Sequence, residues 1–175
     1  MHIICLIFCL CFLANFSTAD AVGQTCNNNI IASTPDSQLI DNSNGTVTDN
    51  KTGLMWKRCV EGLSGSTCES GTANTFTWQT ALQQPGVVNN GSGFAGYHDW
   101  RLPNIKELRS LVEEKCFNPA INLTRFPNTT FSYVWSGSPC ADGSDGAWVV
   151  GFNSGDSYNN IRNYDNQVRF VRGGQ

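Results

Sequence analysis

The sequence is poor in charge and in histidine. Only 14% of its 175 residues are Asp, Glu, Lys or Arg, and its 11 basic and 14 acidic residues give a net charge of −3. A nucleic-acid-binding domain normally carries a basic face, so we expect no nucleic-acid partner. Low charge together with 17 glycines favours short strands and many turns over a helical bundle.

Several motifs that hold metals or cofactors are also absent. The chain has no Cys-x-x-Cys pair and no His-x-x-x-His pair, and His98 is the only histidine outside the leader. Zinc is therefore not expected, and a single histidine argues against a Ser-His-Asp catalytic set. There is no Walker motif and no internal repeat. We expect no cofactor.

Residues 1–21 are predicted to be a secretory signal peptide. The apolar run Ile3–Ala14 is too short to span a bilayer, and small residues allow cleavage after Ala19 or Ala21. An uncleaved anchor is the alternative, because the start has His2 but neither Lys nor Arg. The mature chain is expected to be periplasmic, on the cell surface or secreted, without a transmembrane segment.

The cysteine pattern predicts disulfide bonds. Of the eight cysteines five lie beyond the leader, and an exported chain with this many is expected to be oxidised. Cys59 and Cys68 enclose a Gly/Ser-rich loop and are the best predicted pair. Cys116 with Cys140 is the preferred second pair, which leaves Cys26 as a free thiol or as a bond to another chain.

The clearest predicted helix begins after Pro103. The proline keeps Leu102 extended, Asn104 is a good N-cap, and Glu107 can complete a capping box. Apolar residues at helical spacing share one face and predict a helix that continues for three turns: Ile105, Leu108, Leu111, Val112 and Cys116.

A second, shorter helix is predicted over residues 75–82. Thr75 or Thr77 would cap it, and Trp78, Ala81 and Leu82 share one face. The pair at 85–86, Pro followed by Gly, is predicted to end this helix.

Residues 44–57 read as a turn-strand-turn-strand unit. Asn44-Gly45 is a strong hairpin signal, and residues 22–40 before it are predicted to be an extended N-terminal segment. The Asp/Asn cluster at 41–44 raises the alternative of an EF-hand loop. That pattern fails, because its first ligand position would fall on Ile40.

The second half of the chain is predicted to form an antiparallel meander. Four apolar or alternating segments are separated by turn residues: 131–136, 147–152, around 157–162, and 167–172. In the last segment Val168, Phe170 and Arg172 would face one side, and Arg169 and Val171 the other.

Several of these motifs occur in the order seen in a known family. From about residue 41 to 172 the chain resembles the C-terminal domain family of the Legionella collagen-like adhesin (Lcl). The helix start is also similar to that of the formylglycine-generating enzymes. The matching motifs are Gly45-Thr46-Val47-Thr48-Asp49, Thr52-Gly53-Leu54-Met55-Trp56, Thr77-Trp78, Asp99-Trp100-Arg101-Leu102-Pro103 with Asn104 and Glu107, Phe126-Pro127, Trp135-Ser136 and Val168-Arg169-Phe170-Val171-Arg172.

The resemblance implies an α+β, C-type-lectin-like fold, with two helices, a twisted antiparallel sheet and long loops. It divides the chain into a signal peptide (1–21), an extended segment (22–40) and one domain (41–172). The collagen-like Gly-x-y repeats of the adhesin are absent, so trimerisation through a stalk is not implied.

The function implied is an exported bacterial binding or adhesion module for glycans or for host or envelope surface components. The candidate ligand contacts also have an ordinary structural explanation. Asn and Asp near hairpin turns are often turn formers, and Trp148 could equally be a core residue. The calcium–sugar motifs of true C-type lectins are absent. Candidate ligand contacts are Trp148, Asn153, Asp156, Tyr158, Asn160, Arg162 and Tyr164.

Two other functions are weighed. One is a structural envelope subunit that assembles through protein–protein contacts, with Cys26 as a possible intermolecular bond. The other is an enzyme related to the formylglycine-generating group, which uses a reactive cysteine pair late in the domain. No cysteine follows Cys140, and Phe170 stands in the closing segment, so we expect no catalytic activity.

Overall fold

The computed structural model describes residues 23–141 and 145–173, and the predicted signal peptide lies outside them. Neither helix in these ranges has the length and apolar character needed to cross a membrane. The described residues form eleven strands and two helices. They are β1 Thr25–Cys26, β2 Leu39–Asp41, β3 Thr46–Asp49, β4 Leu54–Lys57, β5 Leu63–Ser64, β6 Ser70–Gly71, α1 Trp78–Val88, α2 Ile105–Arg109, β7 Cys116–Phe117, β8 Tyr133–Pro139, β9 Gly146–Gly151, β10 Asp156–Ile161 and β11 Val171–Arg172.

The predicted α+β character, with two helices and antiparallel strands, is confirmed. The strands of the described residues form four sheets instead of one, ordered β11-β4-β3-β2, β10-β9-β8, β1-β7 and β5-β6. The hairpin at Asn44-Gly45 is also confirmed, since β2 pairs with β3 across it and β3 pairs with β4. Gly45 has a φ of 84°, which residues with a side chain rarely adopt.

The predicted meander is correct for three of its four strands. β8, β9 and β10 pair as consecutive antiparallel neighbours. The fourth strand does not join them: Val171 of β11 pairs with Trp56 of β4, so the closing strand belongs to the first sheet. Gln167, just before it, makes a parallel bridge to Val134. The closing segment therefore touches both large sheets.

The helices lie on opposite faces of the β8–β10 sheet. On one face Leu108 of α2 is buried with Val134 and Val150. On the other, Ala81 of α1 is buried with Val149, the neighbour of Val150. Successive strand residues point to opposite faces, so the sheet separates two apolar clusters.

Helix α1 is longer than predicted. It begins at the N-cap Thr77 and continues through Pro85 to Val88. Pro85 removes only one backbone donor, and its own carbonyl accepts the Asn89 N–H at 3.0 Å. The proline lies on the partly exposed side of the helix, where water can solvate the carbonyl that loses its donor.

Helix α2 is shorter than predicted, although its capping box is present. It ends at Arg109, and tight turns follow in which Leu111 N–H donates to Leu108 and Val112 N–H to Arg109. Leu111 and Val112 are buried as expected, with exposures of 0% and 4%. The apolar spacing is satisfied by turns as well as by a helix, so periodicity overestimated its length.

One of the two predicted disulfides is confirmed and the other is wrong. Cys59 is bonded to Cys68. Cys116 is bonded to Cys26 and not to Cys140, and the bond joins directly opposed residues of β1 and β7. Cys26 is therefore an intrachain partner and not an intermolecular one. Residues 22–40 show no apolar periodicity, so the pairing of this segment with β7 could not be predicted.

A buried carboxylate holds the same N-terminal segment. Glu113, 3% exposed, accepts hydrogen bonds from the backbone N–H groups of Ser33 at 3.0 Å and Thr34 at 2.9 Å, and from the Thr34 hydroxyl at 2.8 Å. Burial alone would raise the pKa of Glu113, but these bonds together lower it below the ordinary value of 4.5.

We expect Glu113→Gln to lower the free energy of unfolding by about 2–3 kcal/mol at neutral pH, because an amide group would face several N–H donors. The pKa of the folded state lies below that of the unfolded chain, so this contribution is complete above pH 4.5 and is lost as the pH falls through the folded value. Urea unfolding at pH 7 and pH 3 measures both effects. The exposed neighbour gives the control, Glu114→Gln. If Glu113→Gln unfolds with the same free energy as the wild type at pH 7, the stabilising role of the Glu113 hydrogen bonds is contradicted.

The two disulfides should contribute unequally to stability. Cys26–Cys116 spans 90 residues and Cys59–Cys68 spans 9. Chain entropy predicts stabilisation of about 4–5 kcal/mol for the long loop and about 2–3 kcal/mol for the short one. Thermal unfolding of the two double Cys→Ser variants should therefore show the larger loss for the Cys26/Cys116 pair. The reverse order would show that the N-terminal segment does not depend on its cross-link.

Candidate functional site

The family motif around Arg101 is occupied by internal contacts. Arg101 donates to both carboxylate oxygens of Glu107, at 2.8 and 2.7 Å, and Glu107 also accepts the Asn104 N–H at 2.8 Å. Trp100 is 1% exposed, and Asp99 accepts from Arg172 at 2.7 Å. The structural role predicted for Asp99, Trp100, Arg101, Leu102, Pro103, Asn104 and Glu107 fits these contacts.

Four of the seven candidate ligand contacts share one surface. Asp156, Tyr158, Asn160 and Arg162 are alternate residues along β10 and its continuation, so their side chains leave the same face of the sheet. β10 is an edge strand, paired only with β9. Six residue rises give this row a length of about 20 Å. We call these four residues, with Tyr133 described next, the edge-strand strip.

The centre of the strip is a pair of tyrosines. The rings of Tyr133 and Tyr158 meet edge to face, with centroids 5.6 Å apart, and remain 42% and 38% exposed. The Tyr133 ring lies over Gly151, where a Cβ would be 2.8 Å from it. Sequence analysis missed Tyr133, because only the register of β8, β9 and β10 reveals that it faces Tyr158.

One end of the strip is a charged carboxylate. Asp156 accepts hydrogen bonds from the Ser154 hydroxyl at 2.7 Å and from the Tyr158 hydroxyl at 3.2 Å. These bonds, the one from Ser154 first, lower the pKa of Asp156 below its ordinary value. The side chain is therefore an acceptor at neutral pH.

The other end of the strip combines an amide and a cation. Asn160 donates to Asn166 at 3.4 Å and accepts the Ile161 N–H at 3.0 Å, while the Ile161 carbonyl accepts from Tyr164 at 2.9 Å. The Arg162 guanidinium stacks 4.6 Å from the centre of the Trp78 ring, and its Nε donates to the Gly146 carbonyl at 3.1 Å.

The remaining three candidates are not part of the row along β10, although the Asn153 side-chain oxygen reaches the Gly151 position beside the Tyr133 ring. Trp148 projects from the opposite face of β9 toward α2, where it lines a cavity of about 270 Å³ with Lys106 and Arg109. Asn153 lies in the turn between β9 and β10, and its backbone carbonyl accepts from Asn118 at 2.8 Å. Tyr164 is 57% exposed beyond the end of β10.

A larger cavity, about 520 Å³, lies between the 41–45 turn and the Cys59–Cys68 loop. Its two cations are already paired: Lys57 with Glu61 at 2.7 Å, and Arg58 with Asp41. Within residues 23–141 and 145–173 no three His, Cys, Asp or Glu side chains are grouped as metal ligands. The edge-strand strip, in contrast, places a carboxylate, two partly exposed tyrosines, an amide and a cation along one face of an edge strand.

Comparison with protein families gives one match. The family model described as the Lcl C-terminal domain matches residues 45–172, which include both helices, the β8–β10 sheet, the whole edge-strand strip and every strand of the four-stranded sheet except β2. Comparison with curated proteins gave no match.

We expect the Asp156 carboxyl to titrate below the ordinary range for aspartate, and its pKa to rise in Ser154→Ala because the shortest donor is lost. Tyr158→Phe should raise the pKa of Asp156 by a smaller amount, because the bond from the Tyr158 hydroxyl is the longer of the two. Carboxyl-carbon NMR titration measures the midpoint, with Ser157→Ala on the other face of β10 as control. An unchanged midpoint in Ser154→Ala would contradict the hydrogen bond.

Proposed function

The chain belongs to the Lcl C-terminal domain family, and on that premise we propose that it is an exported bacterial binding module that recognises an extended glycan along the edge-strand strip. The single observation that carries this proposal is the row of alternating acceptor, aromatic, amide and cationic side chains on an exposed edge strand. The two disulfides support export, because such bonds persist in oxidising compartments.

We also propose that the fold is C-type-lectin-like. Two helices pack against antiparallel strands, and the closing strand β11 returns to the sheet that contains β2, β3 and β4. The first and last strands of this range, β2 and β11, are thus the two edge strands of one sheet. Such a frame would hold β10 rigid while leaving its outer face open to a ligand.

The chemistry of the strip suits a sugar chain. Aromatic rings such as those of Tyr133 and Tyr158 present apolar area with few torsions to fix, and their hydroxyls remain polar. Asp156, Asn160 and Arg162 supply an acceptor, an amide and a donor along the same line. An extended ligand of about 20 Å would contact all five side chains.

We propose that the side chains of the edge-strand strip bind a ligand and do not catalyse a reaction. General acid–base work needs a group with a pKa near the working pH. The pKa of Asp156 is lowered and not raised, so it would stay ionised and serve as an acceptor. Covalent assembly through Cys26, the alternative, is weakened because Cys26 is bonded to Cys116.

A glycan panel tests this proposal. We expect Tyr158→Ala to weaken binding of the best ligand about three- to tenfold, since a stacked aromatic ring contributes on the order of 1 kcal/mol. Tyr158→Phe keeps the ring and should retain most of the affinity. Lys51→Ala, in the exposed turn between β3 and β4, is the control.

Calorimetry at moderate salt should be used, because weak binding through charge alone vanishes there. Absence of binding to every glycan, or the same affinity in Tyr158→Ala and the wild type, would remove the proposal.

A further inference from the structure

A second concave surface lies where β10 ends. It is a cleft of about 440 Å³ between the first turn of α1 and the end of β10, which is within the size range of small-molecule sites. We call it the end cleft. Its lining residues are Thr77, Trp78, Gln79, Leu82, Asp145, Ile161, Arg162 and Asn163.

The cation of the end cleft is fixed but carries no carboxylate partner. Arg162 is held by its stack on Trp78 and by the bond from Nε to Gly146, which orient the guanidinium plane. Among the described residues Arg162 forms no salt bridge, whereas four of the other six arginines do. A planar guanidinium so oriented is suited to receive a carboxylate through two parallel bonds.

Among the described residues, the anion of the end cleft forms no salt bridge either. Asp145 lines the same cavity, and its backbone carbonyl accepts the Arg162 N–H at 2.9 Å. The two side chains nevertheless form no salt bridge within 4.0 Å, the limit met by the five ion pairs of the described residues. The cleft therefore holds one positive and one negative group that are kept apart.

The walls of the end cleft are apolar. Leu82 from α1 and Ile161 from β10 line it and are 43% and 49% exposed, so apolar area is open to solvent there. The Trp78 ring contributes a third apolar surface. A ligand that matches all of these groups carries two opposite charges and a short apolar branch.

We propose that the end cleft binds a free α-amino acid with an apolar side chain. The ligand carboxylate contacts Arg162, its ammonium contacts Asp145, and its side chain packs against Leu82 and Ile161. This ligand is distinct from the glycan proposed for the strip, and the two sites share only Arg162. Occupancy of the cleft would cover one end of the strip and so couple glycan binding to the local amino-acid concentration.

A series of four compounds tests the ligand class on the oxidised mature chain. L-leucine carries both charges and the apolar branch, N-acetyl-leucine lacks the ammonium, leucinamide lacks the carboxylate, and glycine lacks the branch. We expect leucine to bind, and each of the others to bind about tenfold more weakly, as expected for loss of one charged contact or one apolar side chain. NMR shift changes at the Trp78 indole N–H report binding in this cleft.

Matched variants locate the site. Arg162→Gln and Asp145→Asn should each weaken leucine binding about tenfold, whereas Arg109→Gln and Asp165→Asn, exposed and outside the cleft, should leave it unchanged. A thermal melt confirms that each variant is folded, and Leu82→Asn tests the wall without altering charge.

The two proposals fail separately. Tyr158→Ala should leave leucine binding intact, and Asp145→Asn should leave glycan binding intact. No binding of leucine, equal binding of N-acetyl-leucine, or a wild-type affinity in both Arg162→Gln and Asp145→Asn would overturn the assignment.

Discussion

The backbone of residues 167–171 is the contact on which the two large sheets depend. Gln167 exchanges hydrogen bonds with β8, Phe170 accepts from Lys57 at the end of β4, and Val171 exchanges bonds with Arg101 in the family motif. All five residues of this segment are buried. This one short stretch pairs with both large sheets and with Arg101. Its position therefore sets the distance between the four-stranded sheet and the β8–β10 sheet, which carries the edge-strand strip.

A buried cation, Arg169, also stabilises the contact between residues 167–171 and the end of β4. Arg169 is 0% exposed and donates to the carbonyls of Lys57 and Arg58 and to the Thr129 hydroxyl, with Phe126 against its guanidinium. Burial lowers the pKa of Arg169 to about 9, so it remains charged at neutral pH. Its partners are neutral oxygens and an aromatic face instead of a carboxylate. The group therefore satisfies the carbonyls at the end of β4, where the regular ladder stops.

Local signals were readable from the sequence, and long-range pairings were not. The Asn44-Gly45 hairpin and the Asn104–Glu107 capping box follow from residues a few positions apart, and both are present. The partner of Cys26 and the partner sheet of Val171 depend on chain segments about 90 and 115 residues away, which no local period encodes. Likewise Asp156, Tyr158 and Asn160 could be proposed from composition near a turn, whereas Tyr133 needed the register of three strands.

The hydrogen bonds around Ile161 also affect how the protein behaves at high local concentration. An exposed edge strand normally offers a template on which another chain can add a strand, which is a route to aggregation. Here the Asn160 side-chain oxygen accepts the Ile161 N–H, and the Ile161 carbonyl accepts the Tyr164 N–H. The end of the edge is thereby closed to strand addition. A crowded layer of these molecules is therefore less prone to strand addition at this end of β10.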